Sequence, residues 1–284
     1  MGQDSLWFMF DGALLLLRED DAGKRVLPRG EVPPLATNYL VQRVGEYRGV
    51  PCMAMALSAS PLCKKAPGSG LAGAAAYTGL DLHYRAYELL GEELYSLATR
   101  ARELAYWDVN SQFCPACGNR NLPDSAISKK CPACGKELFP PVSVAILVVV
   151  SRKNSLAPGG DEILLGRAHR AAGIFHSLLA GFLEAGETLE ACVRREVLEE
   201  TSLVVNNIRY FGSQPWPHPS NLMAGFFADY VSGEIKIQES ELLSADFFRR
   251  DGLPPDLPHE FSLSRRLINW WVSGEALPYG NNNC

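Results

Sequence analysis

The strongest constraint in this sequence is a pair of short cysteine motifs. "CPACGNRNLPDSAISKKCPACG" sets Cys114, Cys117, Cys131 and Cys134 in two Cys-x-x-Cys-Gly knuckles joined by 13 residues. Two residues between thiolates let both reach one tetrahedral ion, and the glycine after each pair permits the tight turn. A single pair is compatible with a redox motif. Two pairs with the same Pro-Ala spacer and a short connection predict a structural zinc ribbon, one ion per chain, with every coordination position filled by protein and none open to substrate water. The remaining cysteines, Cys52, Cys63, Cys192 and Cys284, follow no pattern, which suits free thiols in a reducing compartment better than disulfides. The ribbon also carries Arg120, Lys129, Lys130 and Lys136. These are able to touch RNA phosphates, although a solvated face is the plainer reading.

The ribbon divides the chain. With 284 residues, 47% of them hydrophobic, there is material for two cores. Residues 1–105 alternate apolar runs ("SLWFMF", "ALLLL", "CMAMAL") with turn-rich stretches and end in the helical pattern "YRAYELLGEELYSLATRARELAYW", which predicts a small α+β domain. Residues 66–79, "APGSGLAGAAAYTG", read as a loop. Residues 106–141 form the ribbon. Residues 142–284 form a mixed α/β domain: the buried strand "VSVAILVVV", the breaker "NSLAPGGD" and "EILLGRA" as a hairpin, strand-like "NNIRYFGSQPWP", "LMAGFFADYVSG" and "EIKIQ", the helix "SLSRRLINWWVSG" and a polar tail "NNNC".

Several function classes are disfavoured. The longest apolar run is about half the ~18 residues a membrane span needs, and the N-terminus carries an acid where a secretory signal has basic residues, so a cytoplasmic address without membrane partners is expected. A net charge of −5 provides no bulk attraction to nucleic acid.

Between 181 and 203, "GFLEAGETLEACVRREVLEETSL" packs six glutamates and two arginines into an amphipathic, helix-compatible stretch. Glu196, Glu199 and Glu200, spaced i, i+3, i+4, project from one helical face. Like charges this close are destabilising unless offset, either by Arg194 and Arg195 or by a cation, and oxygen-only donors suit hard ions such as Mg²⁺ or Mn²⁺.

A family resemblance decides between the two. Gly181, five residues, Glu187, seven residues, then Arg195-Glu196-Val197-Leu198-Glu199-Glu200 resembles the Nudix box, the loop-helix-loop signature of hydrolases of nucleoside diphosphate-linked compounds. The resemblance implies that Glu196, Glu199 and Glu200 bind the catalytic metals while Glu187 and Arg195 brace the box as a charge-assisted pair. One position departs from the family pattern: Ser202 stands where a glycine closes the helix in a left-handed cap, at a cost of up to ~1 kcal/mol.

A zinc ribbon followed by this box and then by "SQPWPHPSNLM" is similar to the NADH pyrophosphatase (NudC-type) family, whose fold would be a Nudix α/β/α sandwich behind a zinc ribbon and a smaller N-terminal α+β domain. That resemblance carries over further positions. Gln214, Pro215, Trp216 and Pro217 match the substrate-selecting stretch, with His218 in place of the usual aromatic, followed by Pro219, Ser220 and Asn221. Ala180 would ligate metal through its carbonyl and Glu241 through its carboxylate. Phe182 would stack on nicotinamide, Phe139 occupies the place of a substrate-facing tyrosine, and Ser264 falls at a substrate-contacting position. A homodimer is implied as well.

The implied reaction is hydrolysis of NADH or NAD⁺ to nicotinamide mononucleotide and AMP, with NAD-capped RNA as a second substrate class. A broad Nudix hydrolase of ADP-ribose or dinucleoside polyphosphates and a non-catalytic nucleotide-binding module are the competing readings. Plain proline-stiffened turn geometry is the alternative for residues 213–223.

Overall fold

A computed structural model describes residues 4–31, 40–57, 77–153, 160–169, 175–216 and 220–275. The chain divides into two compact units, Met1–Pro141 with Pro217–Ser220, and Val142–Trp216 with Asn221–Cys284.

The first unit begins with strands β1 (Ser5–Asp11), β2 (Leu14–Glu19), β3 (Arg25–Val26), β4 (Arg29–Gly30), β5 (Gln42–Tyr47), β6 (Val50–Ala56) and β7 (Thr78–Asp81). Their order is β3-β2-β1-β6-β5, with β4 beside β1 and β7 beside β2. Trp7, Phe8, Met9 and Phe10 of β1 are all buried, so this strand is covered on both faces. Helix α1 (Tyr84–Asn110) packs on β6 and β5 and is broken at Gly91, whose φ of 74° and ψ of 168° only glycine adopts cheaply. It runs past residue 105 to Asn110, and after the first knuckle come the ribbon strands β8 (Leu122–Ser125), β9 (Ser128–Lys130) and β10 (Glu137–Leu138).

The ribbon is bolted to that helix. Lys129 Nζ lies 2.6 Å from Asp108 Oδ1, both side chains being 3% exposed, and it also donates to the Asp108 carbonyl and sits over the Trp107 ring. Asn121 Nδ2 donates to the Ser111 carbonyl at 2.9 Å. Lys129 is therefore inside and unable to meet RNA phosphate. Lys130 pairs with Glu137 at 3.1 Å, and Arg120 and Lys136 stay exposed.

The second unit is built on β11 (Ser143–Lys153), the expected buried strand, with β12 (Asp161–Ala168), β13 (Leu179–Phe182), α2 (Leu189–Thr201), β14 (Val204–Trp216), β15 (Asn221–Ser232), β16 (Leu242–Arg249) and α3 (Leu263–Ser273). The sheet order is β14-β15-β11-β12-β16, and β13 pairs with the first half of β11. Because side chains alternate along a strand, Ile146, Val148 and Val150 join Cys192, Val193 and Val197 of α2, while Leu147 and Val149 join Leu263, Leu267 and Ile268 of α3. The result is an α/β/α sandwich whose central strand is hydrophobic from Val144 to Val150 because both its faces are covered there. Each such fully buried aliphatic side chain contributes about 1.5–3 kcal/mol.

Two local expectations are corrected. "EIKIQ" is not a strand: Ile235 and Ile237 do pack on the α2-side core, but the backbone N–H groups of Lys236 and Gln238 donate to the carbonyls of Thr201 and Glu200 at the end of α2. The helix within 181–203 begins only at Leu189, with the Thr188 hydroxyl capping it through Ala191 N, and Gly181 and Phe182 belong to β13. Most of the 66–79 loop, the breaker at 154–159 and the tail lie outside the described residues.

Candidate functional site

The four knuckle cysteines converge. Their sulfurs all lie within 4.8 Å of one another, with Cys114–Cys134 at 3.6 Å and Cys117–Cys131 at 3.5 Å. Zinc about 2.3 Å from each of four tetrahedral sulfurs sets edges near 3.8 Å, so the donor set fits that ion. Gly118 and Gly135, at φ 75° and 74°, donate their N–H groups to the carbonyls of Cys114 and Cys131 and close the two turns. The Asn119 side-chain amide and backbone N–H lower the Cys117 thiol, while the neighbouring thiols raise that of Cys134, as expected where four sulfurs are crowded together.

On α2, one arginine organises the acidic face. Arg195 Nε and Nη2 reach the two oxygens of Glu187 at 2.6 and 2.9 Å, Nη2 also donates to the Phe182 carbonyl at 2.9 Å, and Nη1 reaches Glu196 at 2.8 Å and Glu199 at 3.1 Å. The Arg195 hydrogen bonds, with the Glu184 N–H, hold Glu187 at about 2, and Glu187 in turn raises Arg195. The pair is half-buried and bidentate, a geometry in which charge-assisted hydrogen bonds are strong. It joins the loop after β13 to the helix and thereby aims the next residue, Glu196.

Glu196 lies directly on the strand. A Cβ at Gly181 would fall 1.8 Å from Glu196 Cδ and 2.0 Å from its Oε1, so the missing side chain at 181 is what admits the carboxylate. Burial pushes the Glu196 carboxyl up despite Arg195. Glu200 is buried at 7% exposure, whereas Glu199 is half exposed. A hard, oxygen-binding cation suits this set, with one carboxylate cradled on the backbone, one buried and one at the rim. Among the described residues the glutamates do not converge as the cysteines do; Glu196 and Glu199 turn oxygens toward Arg195. The helix ends at Ser202, which itself takes the left-handed conformation (φ 60°, ψ 20°) with its N–H on the Leu198 carbonyl. Serine thus makes the cap in place of glycine.

Alternation places Gly181 on the α2 side and Ala180 and Phe182 on the other. On that other side, strand register aligns Phe182, Ala145, Met223 and Gln214 in one row across β13, β11, β15 and β14, about 14 Å from end to end at ~4.8 Å per strand. Phe182 is 44% exposed. At the far end, the Gln214 amide donates to the Phe261 carbonyl (3.0 Å) and accepts from Leu263 N (2.7 Å), pinning the start of α3. Trp216 stacks on Phe261, ring centres 5.5 Å apart and planes 19° apart. Nothing in the sequence signalled that partner, because the pairing joins two segments that share no periodicity.

The other expected positions are dispersed. Ser264 is buried, its hydroxyl 3.0 Å from that of Ser177. Asn221 is buried at the start of β15 beside Pro215 and Trp216, and Ser220 donates to the Pro141 carbonyl at 3.1 Å. Phe139 is exposed just after β10. Glu241 precedes β16 in a turn closed by its own N–H on the Gln238 carbonyl. Pro217, His218 and Pro219 lie outside the described residues.

Sandwich, box and glycine cradle define a Nudix domain, and the NUDIX domain family matches residues 140–271. The chain is similar to the NAD-capped RNA hydrolase NudC of Pseudomonas aeruginosa, at 38% identity over 269 residues that cover 92% of this chain and 88% of that protein. It is similar to the protein of the same name in Vibrio cholerae at 42% over 184 residues, 64% of this chain and 65% of that protein, so this second alignment spans a little under two thirds of the relative. A solved Nudix hydrolase from Nitrosomonas europaea aligns with 57% of this chain and 90% of its own, at 23% identity and a TM-score of 0.46. The chain belongs to the NudC family of Nudix hydrolases.

Proposed function

We propose that the protein is a divalent-metal-dependent hydrolase of the pyrophosphate in NADH and NAD⁺, yielding nicotinamide mononucleotide and AMP, and that the same cut removes NAD caps from RNA 5′ ends. One observation carries the reading: the Glu196 carboxylate is seated on Gly181 by the Arg195–Glu187 pair, one residue from the exposed Phe182 ring. The name of the Pseudomonas aeruginosa relative, which aligns with nearly the whole chain, supports the RNA substrate.

In this proposal Glu196, Glu199, Glu200, Glu241 and the Ala180 carbonyl hold Mg²⁺ or Mn²⁺, and Cys114, Cys117, Cys131 and Cys134 hold structural zinc. Bound divalent ions supply charge neutralisation for the pyrophosphate and a more acidic attacking water. The Arg195–Glu187 pair would hold the Glu196 carboxylate in place against Gly181 for those ions. Phe182 presents a face to nicotinamide. Gln214 and Trp216 set the far wall of the row through Phe261 and α3; Pro215, Pro217, His218, Pro219, Ser220, Asn221, Phe139 and Ser264 are proposed as substrate contacts on the family resemblance alone. A cytoplasmic address and, on the family resemblance, a homodimer are part of the proposal; no helix among the described residues is long and apolar enough to cross a membrane.

The test measures kcat/KM for NADH, NAD⁺ and ADP-ribose on wild type and Phe182→Ala. Stacking is worth roughly 1 kcal/mol beyond burial, so the variant loses about fivefold on the nicotinamide substrates while ADP-ribose hydrolysis is spared. A wild type that prefers ADP-ribose, or a variant weakened equally on all three, establishes the broad-hydrolase reading instead. Binding without hydrolysis of any of the three by wild type establishes the binding-module reading, and near-normal turnover in Glu199→Gln and Glu200→Gln overturns the metal roles proposed for those two residues.

A further inference from the structure

Glu241 stands outside the box, on a turn that must be held in place if its carboxylate is to serve the same metals as α2. Backbone bonds do part of this. Lys236 and Gln238 donate to the last carbonyls of α2, those of Thr201 and Glu200, at 2.9 Å each, and the N–H groups of Glu241 and Leu242 close the turn on the Gln238 carbonyl at 2.9 and 3.0 Å. On its other side the turn meets the end of β12. There the β12–β16 register slips: Arg167 faces Ser244 and Ala168 faces Leu242, so Leu243 is the extra residue of a bulge. Bulges of this kind re-aim the residues beside them.

His169, the residue after β12, grips the turn at two points. Its backbone N–H donates to the Glu241 carbonyl at 2.9 Å, and its ring Nε2 lies 3.0 Å from the Glu239 carbonyl. A carbonyl only accepts, so Nε2 carries the hydrogen. The ring bond is the one made by a side chain, and a substitution removes it while leaving the backbone bond intact.

We propose that His169 is a positioning residue: its Nε2–H, bonded to the Glu239 carbonyl, fixes the turn that delivers Glu241 to the catalytic metal site. The proposal rests on the reading of Glu241 as a metal ligand. It assigns His169 no contact with metal or substrate and no change of protonation state. Glutamine, whose side-chain N–H can reach the same carbonyl, should substitute for it, and alanine should not.

The experiment titrates Mn²⁺ into the purified full-length chain, following free Mn²⁺ by electron paramagnetic resonance, for wild type, His169→Ala, His169→Gln, Glu241→Gln and the His169→Ala/Glu241→Gln double variant; melting temperatures check that each is folded. Expected are weaker Mn²⁺ binding in Glu241→Gln, a loss of about fivefold in His169→Ala, near-recovery in His169→Gln, and no further loss when His169→Ala is added to Glu241→Gln. Fivefold corresponds to about 1 kcal/mol, the usual worth of one such hydrogen bond. If Glu241→Gln weakens binding and His169→Ala does not, the proposal is overturned while the ligand reading stands. If the His169→Ala loss persists undiminished in the double variant, His169 acts elsewhere and the proposal is overturned as well. If Glu241→Gln binds Mn²⁺ like wild type, the ligand reading itself falls and the proposal falls with it.

Discussion

Replacing Gly181 with alanine probes the link between the sheet and the proposed metal-binding face, because the three atoms nearest the added methyl all belong to Glu196. The backbone at 181 does not lie in the left-handed range, so alanine is tolerated conformationally, and the nearest atoms to its Cβ are Cδ, Oε1 and Cγ of Glu196, at 1.8, 2.0 and 2.4 Å. Ordinary contact begins at 3.4 Å, so the carboxylate must retreat by about 1.6 Å. Misplacing a catalytic group by about 1 Å costs on the order of 100-fold in rate; kcat/KM for NADH should therefore fall at least ~100-fold, about 2.7 kcal/mol of transition-state stabilisation. Folding stability should suffer less, within the ~1–3 kcal/mol of a local overpacking. The assay separates AMP from substrate by chromatography and follows unfolding by thermal melts, in the wild-type and Glu196→Ala backgrounds. If the clash is with Glu196, the stability loss from Gly181→Ala vanishes once that side chain is truncated. Activity of Gly181→Ala within threefold of wild type, or a stability loss undiminished in Glu196→Ala, refutes the cradle.

Three further outcomes follow from the same geometry. Ser202 caps α2 at φ 60°, so Ser202→Gly should stabilise the fold by up to ~1 kcal/mol; chemical denaturation showing no gain counts against strain there. Glu187 is held at about 2, below its ordinary 4.5, so its contribution is whole above pH ~4.5 and is lost as pH falls toward 2; Glu187→Gln should flatten the acid limb of stability against pH, and parallel curves for the two proteins would exclude this. Lys129→Met strands Asp108, which is 3% exposed, and should cost about 3–5 kcal/mol, whereas Lys129→Met/Asp108→Leu should recover part of that loss; a double variant as unstable as the sum of the singles contradicts a buried pair.

Several features were legible in the sequence because short-range chain geometry fixes them. Two residues between cysteines and a glycine after them determine a knuckle wherever it sits, and i, i+3, i+4 spacing puts Glu196, Glu199 and Glu200 on one face of any helix. The apolar run at 142–150, broken only by Ser143, likewise announced a buried strand. The sequence failed where a residue's state depends on a distant partner. "EIKIQ" has a strand's alternation, but its N–H groups are taken by the end of α2 instead of a neighbouring strand. Lys129 reads as a surface cation until Asp108 and Trp107 are brought around it.

The sequence by itself determined the four-cysteine cluster, the carboxylate face of α2 and the family, since each depends on residue type and spacing along one short segment. Tertiary structure alone decided that Glu196 rests on Gly181, that Phe182, Ala145, Met223 and Gln214 share a row, that Trp216 stacks on Phe261, and that His169 grips the Glu241 turn. The reason is register: a shift of one residue in the parallel pairing of β11 with β15 would turn Met223, and Gln214 paired to it, away from the face that carries Phe182 and Ala145. Register is set jointly by the cores on both faces of the sheet, not by the local sequence of either strand.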